Sequence, residues 1–433
     1  MPINVKDLYQ KSIEKDNIKR VLLLSPFREP YFMVNARCDF KSWSGTQWYP
    51  IQLGYLACFL KSRSYEVKIV DAQAYGMDDE DTGREIAKFK PHYIVLYASN
   101  KHFESDMRMA ESLNNNICPT ILAGPFYALN ADYYRVPGIQ GELEDGVIAW
   151  IEGKIKTDKP IVGEPLTSEQ LDRMPFVSDI YQEQLDPKYY RTPSEPWPFV
   201  DIMTGRGCFW GQCTFCLWPK VYKKGYAARS MDNVIAEVEK IEKKGFYKSI
   251  MIEDDTFPEP RIDEFCHRKL YKRLTIPWSC LVRANLSVPT LRVMKKADCL
   301  NLHVGYESGC DNILARIKKG ITKEEMYKFT RNAQQEGLQI HGDFMIGIDD
   351  TEKEIKETIN WACRLNPNTA QFQIYIPYDG KKIAVSPERR ERLAQYAYRK
   401  FYSRPGKWPV VAKQILKPAV LKESFKSVMG VRR

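Results

Sequence analysis

The chain has 433 residues, 44% hydrophobic and 28% charged, with a formal net charge of +10. That length suffices for two or three domains with cores of their own, and the apolar content excludes a mainly disordered chain. No run approaches the roughly 18 to 20 apolar residues of a membrane span. The opening segment, MPINVKDLYQKSIEKD, lacks the apolar stretch of a secretory signal. The expectation is therefore a cytoplasmic protein whose eleven cysteines are thiols or metal ligands rather than disulfides. The charge is unevenly placed. From Lys381 to Arg433 there are 15 Lys and Arg against 3 Asp and Glu, a net of +12, so the preceding chain carries −2.

Residues 1–165 alternate strands and helices. Short apolar runs at Arg20–Ser25, Tyr65–Asp71, Tyr93–Tyr97 and Thr120–Ala123 predict buried parallel strands, with helical periodicity over 50–63 and 104–114 between them. The pattern predicts an open, Rossmann-like parallel sheet with helices on both faces. Ligands of such sheets lie beyond the carboxyl ends of the strands, which points to Ser25, Ser99, Asn100, Gly124 and Pro125 as crevice residues. Residues 166–197, rich in Pro, Asp, Glu, Ser and Tyr and without apolar periodicity, predict a linker. From 198 to 380 the alternation resumes, with strands expected over 199–204, 248–253, 277–282, 300–305, 339–346 and 370–376. Six units of this kind predict a partial TIM-like (β/α)6 barrel with its chemistry at the carboxyl-end mouth. Residues 381–433 predict a basic, helical, aromatic-rich tail, whose Lys407, Trp408, Lys413, Lys417, Lys422 and Lys426 make it a candidate for peripheral contact with an anionic membrane.

Directly after the first strand of the second unit stands TGRGCFWGQCTFCLWP, with Cys208, Cys213 and Cys216 spaced C-x4-C-x2-C. A closed zinc site needs a fourth ligand, and all five histidines lie more than fifty residues away in sequence. A redox pair of Cys213 and Cys216 would leave Cys208 without a purpose. Three thiolates in one loop suit an iron–sulfur cluster with one iron left open to substrate.

The loop resembles the cluster-binding signature of the radical S-adenosylmethionine superfamily, in its cobalamin-binding-domain class. The usual form is C-x3-C-x-aromatic-C; here the first interval is one residue longer, and Phe215 keeps the aromatic position. Cys213–Pro219 resembles members associated with hopanoid-lipid biosynthesis. The resemblance implies a [4Fe–4S] cluster on the three cysteines and further site residues. IEDDTFPEP offers Asp254 or Asp255 to the methionyl amino group, and CLVRAN offers Arg283 to a carboxylate. HVGYESGCDNILARIKKGIT places Glu307 and Ser308 on the ribose side, with Lys319 as a carboxylate partner. Gly347, in GDFMIGIDDTEKE, edges the adenine, and Pro377–Gly380 would close the domain. In the N-terminal unit, WYPIQLGYLA (Trp48–Ala57) and GELED (Gly141–Asp145) resemble elements of the cobalamin-binding domain, although the D-x-H-x-x-G motif that supplies a histidine to cobalt is missing.

The activity this implies is reductive cleavage of S-adenosylmethionine to a 5′-deoxyadenosyl radical. With cobalamin, the expected outcome is methylation of an unactivated carbon or phosphorus centre in a small-molecule or lipid-linked intermediate. Cobalamin-class ring closure or rearrangement without methyl transfer is the alternative reaction, and a degenerate N-terminal domain that only shapes the substrate pocket is the alternative to cobalamin binding. A radical tRNA-modifying enzyme is a further one, disfavoured because Cys38, Cys58 and Cys118 lack methylthiotransferase spacing. A flavodoxin or ferredoxin is the expected electron donor, and a nucleic-acid partner is not expected.

Overall fold

The computed structural model describes residues 18–30, 32–34, 39–42, 46–124, 136–154, 160–192, 194–223, 225–377, 383–409 and 412. Pro125, Cys38, the turn at 378–380 and the tail lysines from Lys413 onward lie outside the described residues.

The N-terminal unit is built on β1 (Arg20–Ser25). A short antiparallel ribbon, β2 (Phe32–Val34) and β3 (Asp39–Lys41), follows it. Strands β4 (Glu66–Asp71), β5 (Tyr93–Tyr97) and β6 (Thr120–Ala123) join β1 in one parallel sheet of order β4-β1-β5-β6. Its strands read VLLL, IVLY and TILA because both faces are covered, so alternation is lost and the runs are apolar throughout. The helix Ile51–Lys61 covers one face with ten consecutive buried residues. A second parallel pair, β7 (Ile139–Gly141) and β8 (Ile161–Gly163), extends the region.

Residues 166–197 are not a free linker. They form helices over Ser168–Asp172 and Val177–Gln184 and a short turn at Pro187–Tyr189. Val177, Ile180, Tyr181 and Tyr190 are buried, and Tyr49 stacks on Tyr181 and Tyr190 at centroid distances of 4.5 and 4.0 Å. Too few apolar residues share one period here for the sequence to show a helix. The segment folds because its aromatics fill the seam between the two sheets.

The second unit begins with β9 (Phe199–Ile202) and an antiparallel ribbon, β10 (Gly205–Gly207) with β11 (Tyr226–Ala228). Then come β12 (Ser249–Ile252), β13 (Trp278–Val282), β14 (Cys299–Glu307), β15 (Gln339–Ile346) and β16 (Thr369–Ile374). They make a six-stranded, wholly parallel sheet in chain order, β9-β12-β13-β14-β15-β16, the wall of a partial barrel. The helices are set by plain local signals: Thr322 and Thr351 open theirs with capping boxes to Glu325 and Glu354. The helix Pro387–Tyr402 covers the β16 edge, where the Tyr402 hydroxyl donates to the Ala370 carbonyl and accepts from its N–H, both at 2.9 Å. Among the described residues, no helix is long and apolar enough to cross a membrane.

Candidate active site

The first barrel strand does not lead straight into a helix. After β9 the chain turns through Thr204 into β10, and the loop between β10 and β11 carries all three cysteines. Two carboxylates at the end of β12 fix this crossing. Asp254 accepts from the Thr204 N–H at 2.6 Å, from the Gly205 N–H at 3.1 Å and from the Thr204 hydroxyl. Asp255 accepts from the Gly207 N–H at 2.9 Å. Burial pushes the Asp254 carboxyl up to about 6, opposed by those same donors. Asp254 is wholly buried and committed to the backbone, whereas Asp255 is half-buried at the mouth.

Cys208, Cys213 and Cys216 are free thiols, each half-buried. Their loop is tied to the segment after β14: Thr214 N–H donates to the Ile317 carbonyl at 3.0 Å and Trp210 Nε1 to the Lys318 carbonyl at 2.9 Å. Phe215 packs inward against the main core. Burial pushes Cys216 up to about 12 and also raises Cys213, which Lys319 and Arg283 pull back down. Arg283 donates to the Lys319 carbonyl at 2.6 Å and lies 4.5 Å from the Trp210 ring centroid, a cation–π contact. Three thiols in one loop, flanked by two buried cations, suit a cluster of thiolates: the cations offset the charge that burial penalises.

Glu307 ends β14 with φ +64, beside a register shift between Gly305 and Glu307. A left-handed glutamate at a bulge is the kind of strain that clusters at functional sites. Its carboxylate accepts from Lys319 Nζ at 2.8 Å in a nearly buried ion pair. Ser308 faces elsewhere. Its hydroxyl lies 3.2 Å from Thr358 Oγ1 and accepts from the Cys310 N–H, so it fastens the turn to the helix Glu352–Leu365. Gly347 has φ +88, and the Arg390 side chain occupies the space a Cβ would need. The mouth therefore gathers the cysteines, Asp255, Arg283, Glu307 and Lys319, while Asp254 and Ser308 hold the frame around it.

The N-terminal crevice is quieter. Ser25 hydrogen-bonds Asp71, which also accepts from the Tyr190 hydroxyl at 3.0 Å; burial lifts that carboxyl to about 6. Ser99 donates its N–H to Asp106 at 2.7 Å, and its hydroxyl accepts from the His102 N–H at 3.0 Å. Asn100 is half-buried. Gly124 has φ +137, and a Cβ there would stand 2.5 Å from the Ala98 carbonyl oxygen, so only glycine closes this end of the sheet without strain. The crevice thus offers small residues and backbone at the ends of four parallel strands, a donor set suited to a large planar cofactor held mainly by shape.

One residue that sequence reading missed joins the two sites. Arg206, on β10 and two positions before Cys208, is buried and donates to Glu142 at 2.9 Å and Glu144 at 2.7 Å, both in the N-terminal unit. It also lies 5.3 Å from the Tyr55 ring centroid. Tyr55 in turn accepts from the Met203 N–H at 2.7 Å and donates to its carbonyl at 3.1 Å. The available signal was an arginine between two glycines immediately ahead of the first cysteine, and two glutamates in GELED. Trp210, the lid on Arg283, was the other omission.

Residues 202–362 match the Radical SAM superfamily. With a three-cysteine loop at the mouth of a parallel partial barrel and a second parallel sheet before it, the chain is a radical S-adenosylmethionine enzyme with the fold of the cobalamin-dependent class. The family implies a [4Fe–4S] cluster and S-adenosylmethionine.

The relatives agree in kind. The chain is 27% identical over 365 residues to an uncharacterized methyltransferase of Pyrococcus horikoshii, covering 78% of each. It is 22% identical over 481 residues to the cytidylyl-2-hydroxyethylphosphonate methyltransferase of Streptomyces wedmorensis, covering 91% of this chain and 88% of that one. Among solved structures, the cobalamin-dependent S-adenosylmethionine radical enzyme OxsB matches 90% of this chain with a TM-score of 0.59 at 16% identity. This chain spans 57% of that longer one.

Proposed function

We propose that the protein is a cobalamin-dependent radical methyltransferase, acting on an unactivated carbon or phosphorus centre of a small-molecule or lipid-linked intermediate. The observation that carries this reading is the buried Arg206 bridge, because it sets the strand that leads into the cysteine loop directly against the N-terminal unit. A radical generated at the mouth and a methyl group delivered from the crevice must meet on one substrate atom, and a buried inter-unit tie is what fixes that distance. The methyltransferase names of similar proteins support the same reading.

Cys208, Cys213 and Cys216 would ligate the cluster, and Asp255, Glu307, Lys319 and Arg283 surround the place of S-adenosylmethionine. Ser25, Ser99, Asn100 and Gly124 border the place of cobalamin. Bound there, these groups supply a 5′-deoxyadenosyl radical and a transferable methyl group; the protein orients them and excludes water. Lys319 holds Glu307 in place, so the carboxylate is available to hydroxyl donors without reorganisation. Arg283 faces Cys213 and the Lys319 carbonyl, so its charge is held beside the open side of the loop. An external one-electron donor of the flavodoxin or ferredoxin type completes the system.

Incubation of the anaerobically reconstituted, reduced protein with S-adenosylmethionine tests the radical half of this reading. 5′-Deoxyadenosine and methionine are expected, and both should vanish in Cys213→Ala. S-adenosylmethionine left intact by a protein with a full iron complement contradicts the assignment.

A further inference from the structure

A parallel strand points alternate side chains to opposite faces, so the register identifies which residues meet inside the barrel. On β14, Tyr306 faces outward, with its hydroxyl 2.6 Å from Thr330 Oγ1 on the helix Lys323–Gln335. His303 and Gly305 therefore face the lumen. His303 is the register partner of His341 on β15, and His341 is the partner of Thr369 on β16. Asp343 lies two residues beyond His341 on the same face.

These side chains converge. One donor atom from each of His303, His341 and Asp343 lies within 4.8 Å of the others, and among the described residues this is the group with single-ion spacing. The Nδ1 of His341 is hydrogen-bonded to Thr369 Oγ1 at 2.7 Å, which directs Nε2 toward Asp343 Oδ1 at 3.4 Å. That distance is longer than an ordinary hydrogen bond. It matches two ligands on one tetrahedral ion: donors about 2.1 Å from a metal lie about 3.4 Å apart. The His303 ring stands 4.8 Å from that of His341 and is set edge-on by Trp48 at 5.7 Å. Thr369 thus orients the His341 imidazole from behind, as outer hydrogen-bond partners do at metal centres, while Trp48 only packs against the His303 ring.

We propose that His303, His341 and Asp343 form a second metal site, separate from the cysteine loop, that binds one divalent first-row cation in the barrel lumen. Two imidazoles and one carboxylate leave coordination positions open. The open side faces the lumen below Gly305 and Glu307, where a substrate would extend from the mouth. The ligand chemistry that fits those positions is an anionic oxygen group of the substrate, a phosphate, phosphonate or carboxylate, chelated so that the reacting atom is held toward the mouth. The metal site stands on its own geometry and does not require that the reaction be methyl transfer.

The test uses full-length protein. Cluster-loaded protein is equilibrated with zinc, desalted and analysed for metals, with about one zinc per chain expected beyond the cluster iron. His303→Ala, His341→Ala and Asp343→Asn should each lower zinc affinity at least 10-fold, and Thr369→Val about 10-fold, with iron content and unfolding midpoint unchanged. Zinc should persist when Cys208, Cys213 and Cys216 are all replaced by Ala. In that triple variant cobalt(II) should show a nitrogen–oxygen ligand-field spectrum without a thiolate charge-transfer band, a readout that leaves the lumen residues intact. Zinc lost with the cysteines, zinc untouched by the lumen substitutions, or no cobalt spectrum in the triple variant overturns the proposal. Iron content and S-adenosylmethionine cleavage are read separately from zinc, so failure here is distinguishable from failure of the proposed function.

Discussion

The two parallel sheets of this protein end in two very different surfaces. At the barrel mouth the chain concentrates cost: a left-handed glutamate, a nearly buried Glu307–Lys319 pair, a buried arginine under a tryptophan and three thiols in one loop. At the N-terminal crevice, Ser25, Ser99 and Asp71 satisfy one another or neighbouring elements, and Gly124 supplies close approach. Strain and buried charge persist only where the surrounding structure over-determines them. The mouth therefore carries the buried charge and the strain, and the crevice carries small residues and backbone. Arg206 makes the two surfaces one object, since its charge belongs to the cluster strand and its partners to the N-terminal unit.

Breaking the mouth should have the largest effect. Cys208→Ala, Cys213→Ala or Cys216→Ala should each reduce reconstituted iron from about four atoms per chain to a small residue, measured by iron and sulfide analysis. Wild-type iron content in all three variants would separate the loop from the cluster.

Breaking the bridge comes next. Arg206→Ala leaves Glu142 and Glu144 buried without their cation, a loss of about 3 to 5 kcal/mol of folding stability. Denaturant unfolding reads it, and a loss below 1 kcal/mol would mean that water reaches the pair. Breaking the crevice should cost less. Gly124→Ala forces a Cβ against the Ala98 carbonyl at positive φ, worth about 1 to 3 kcal/mol, and it should weaken cobalamin retention while leaving iron content unchanged. A variant that loses iron and cobalamin together would erase the distinction between the two surfaces.

The smallest effect sharpens the comparison from below. Glu195, in the segment that seals the barrel floor, is held up to about 7 by burial. A carboxyl raised in the folded state binds its proton more tightly there than in the unfolded chain. Its contribution is therefore present at low pH and is lost as pH rises through 7. Between pH 6 and pH 8 this amounts to about 1.4 kcal/mol. Asp201, which burial and Glu253 also push up, shares the trend, so the difference between wild type and Glu195→Gln isolates Glu195. Parallel pH profiles of the two proteins would contradict the assignment.

Much of this was legible in the sequence where the signal was local. The cysteine loop, the Glu307 segment and the alternation that builds two parallel sheets each lie within short windows of chain. The rest depends on contacts far apart in sequence. Nothing near Arg206 indicates that Glu142, 64 residues earlier, is its partner. Residues 166–197 look like a linker because their buried aromatics pair with Tyr49 and Tyr75 instead of repeating at a helical period. Asp254 and Asp255 are indistinguishable in sequence because the strand has just ended and alternation no longer says which one points inward. The His303, His341 and Asp343 convergence appears only once β14 and β15 are in register.

The central claim is that the two surfaces bind two different cofactors at once. Anaerobic reconstitution with iron, sulfide and hydroxocobalamin, followed by desalting, metal analysis and an absorption spectrum, tests it most directly. The account predicts about four iron atoms and about one cobalamin per chain, with cobalamin retained in Cys213→Ala and iron retained in Gly124→Ala. A protein that takes up its iron but emerges free of cobalt would contradict it.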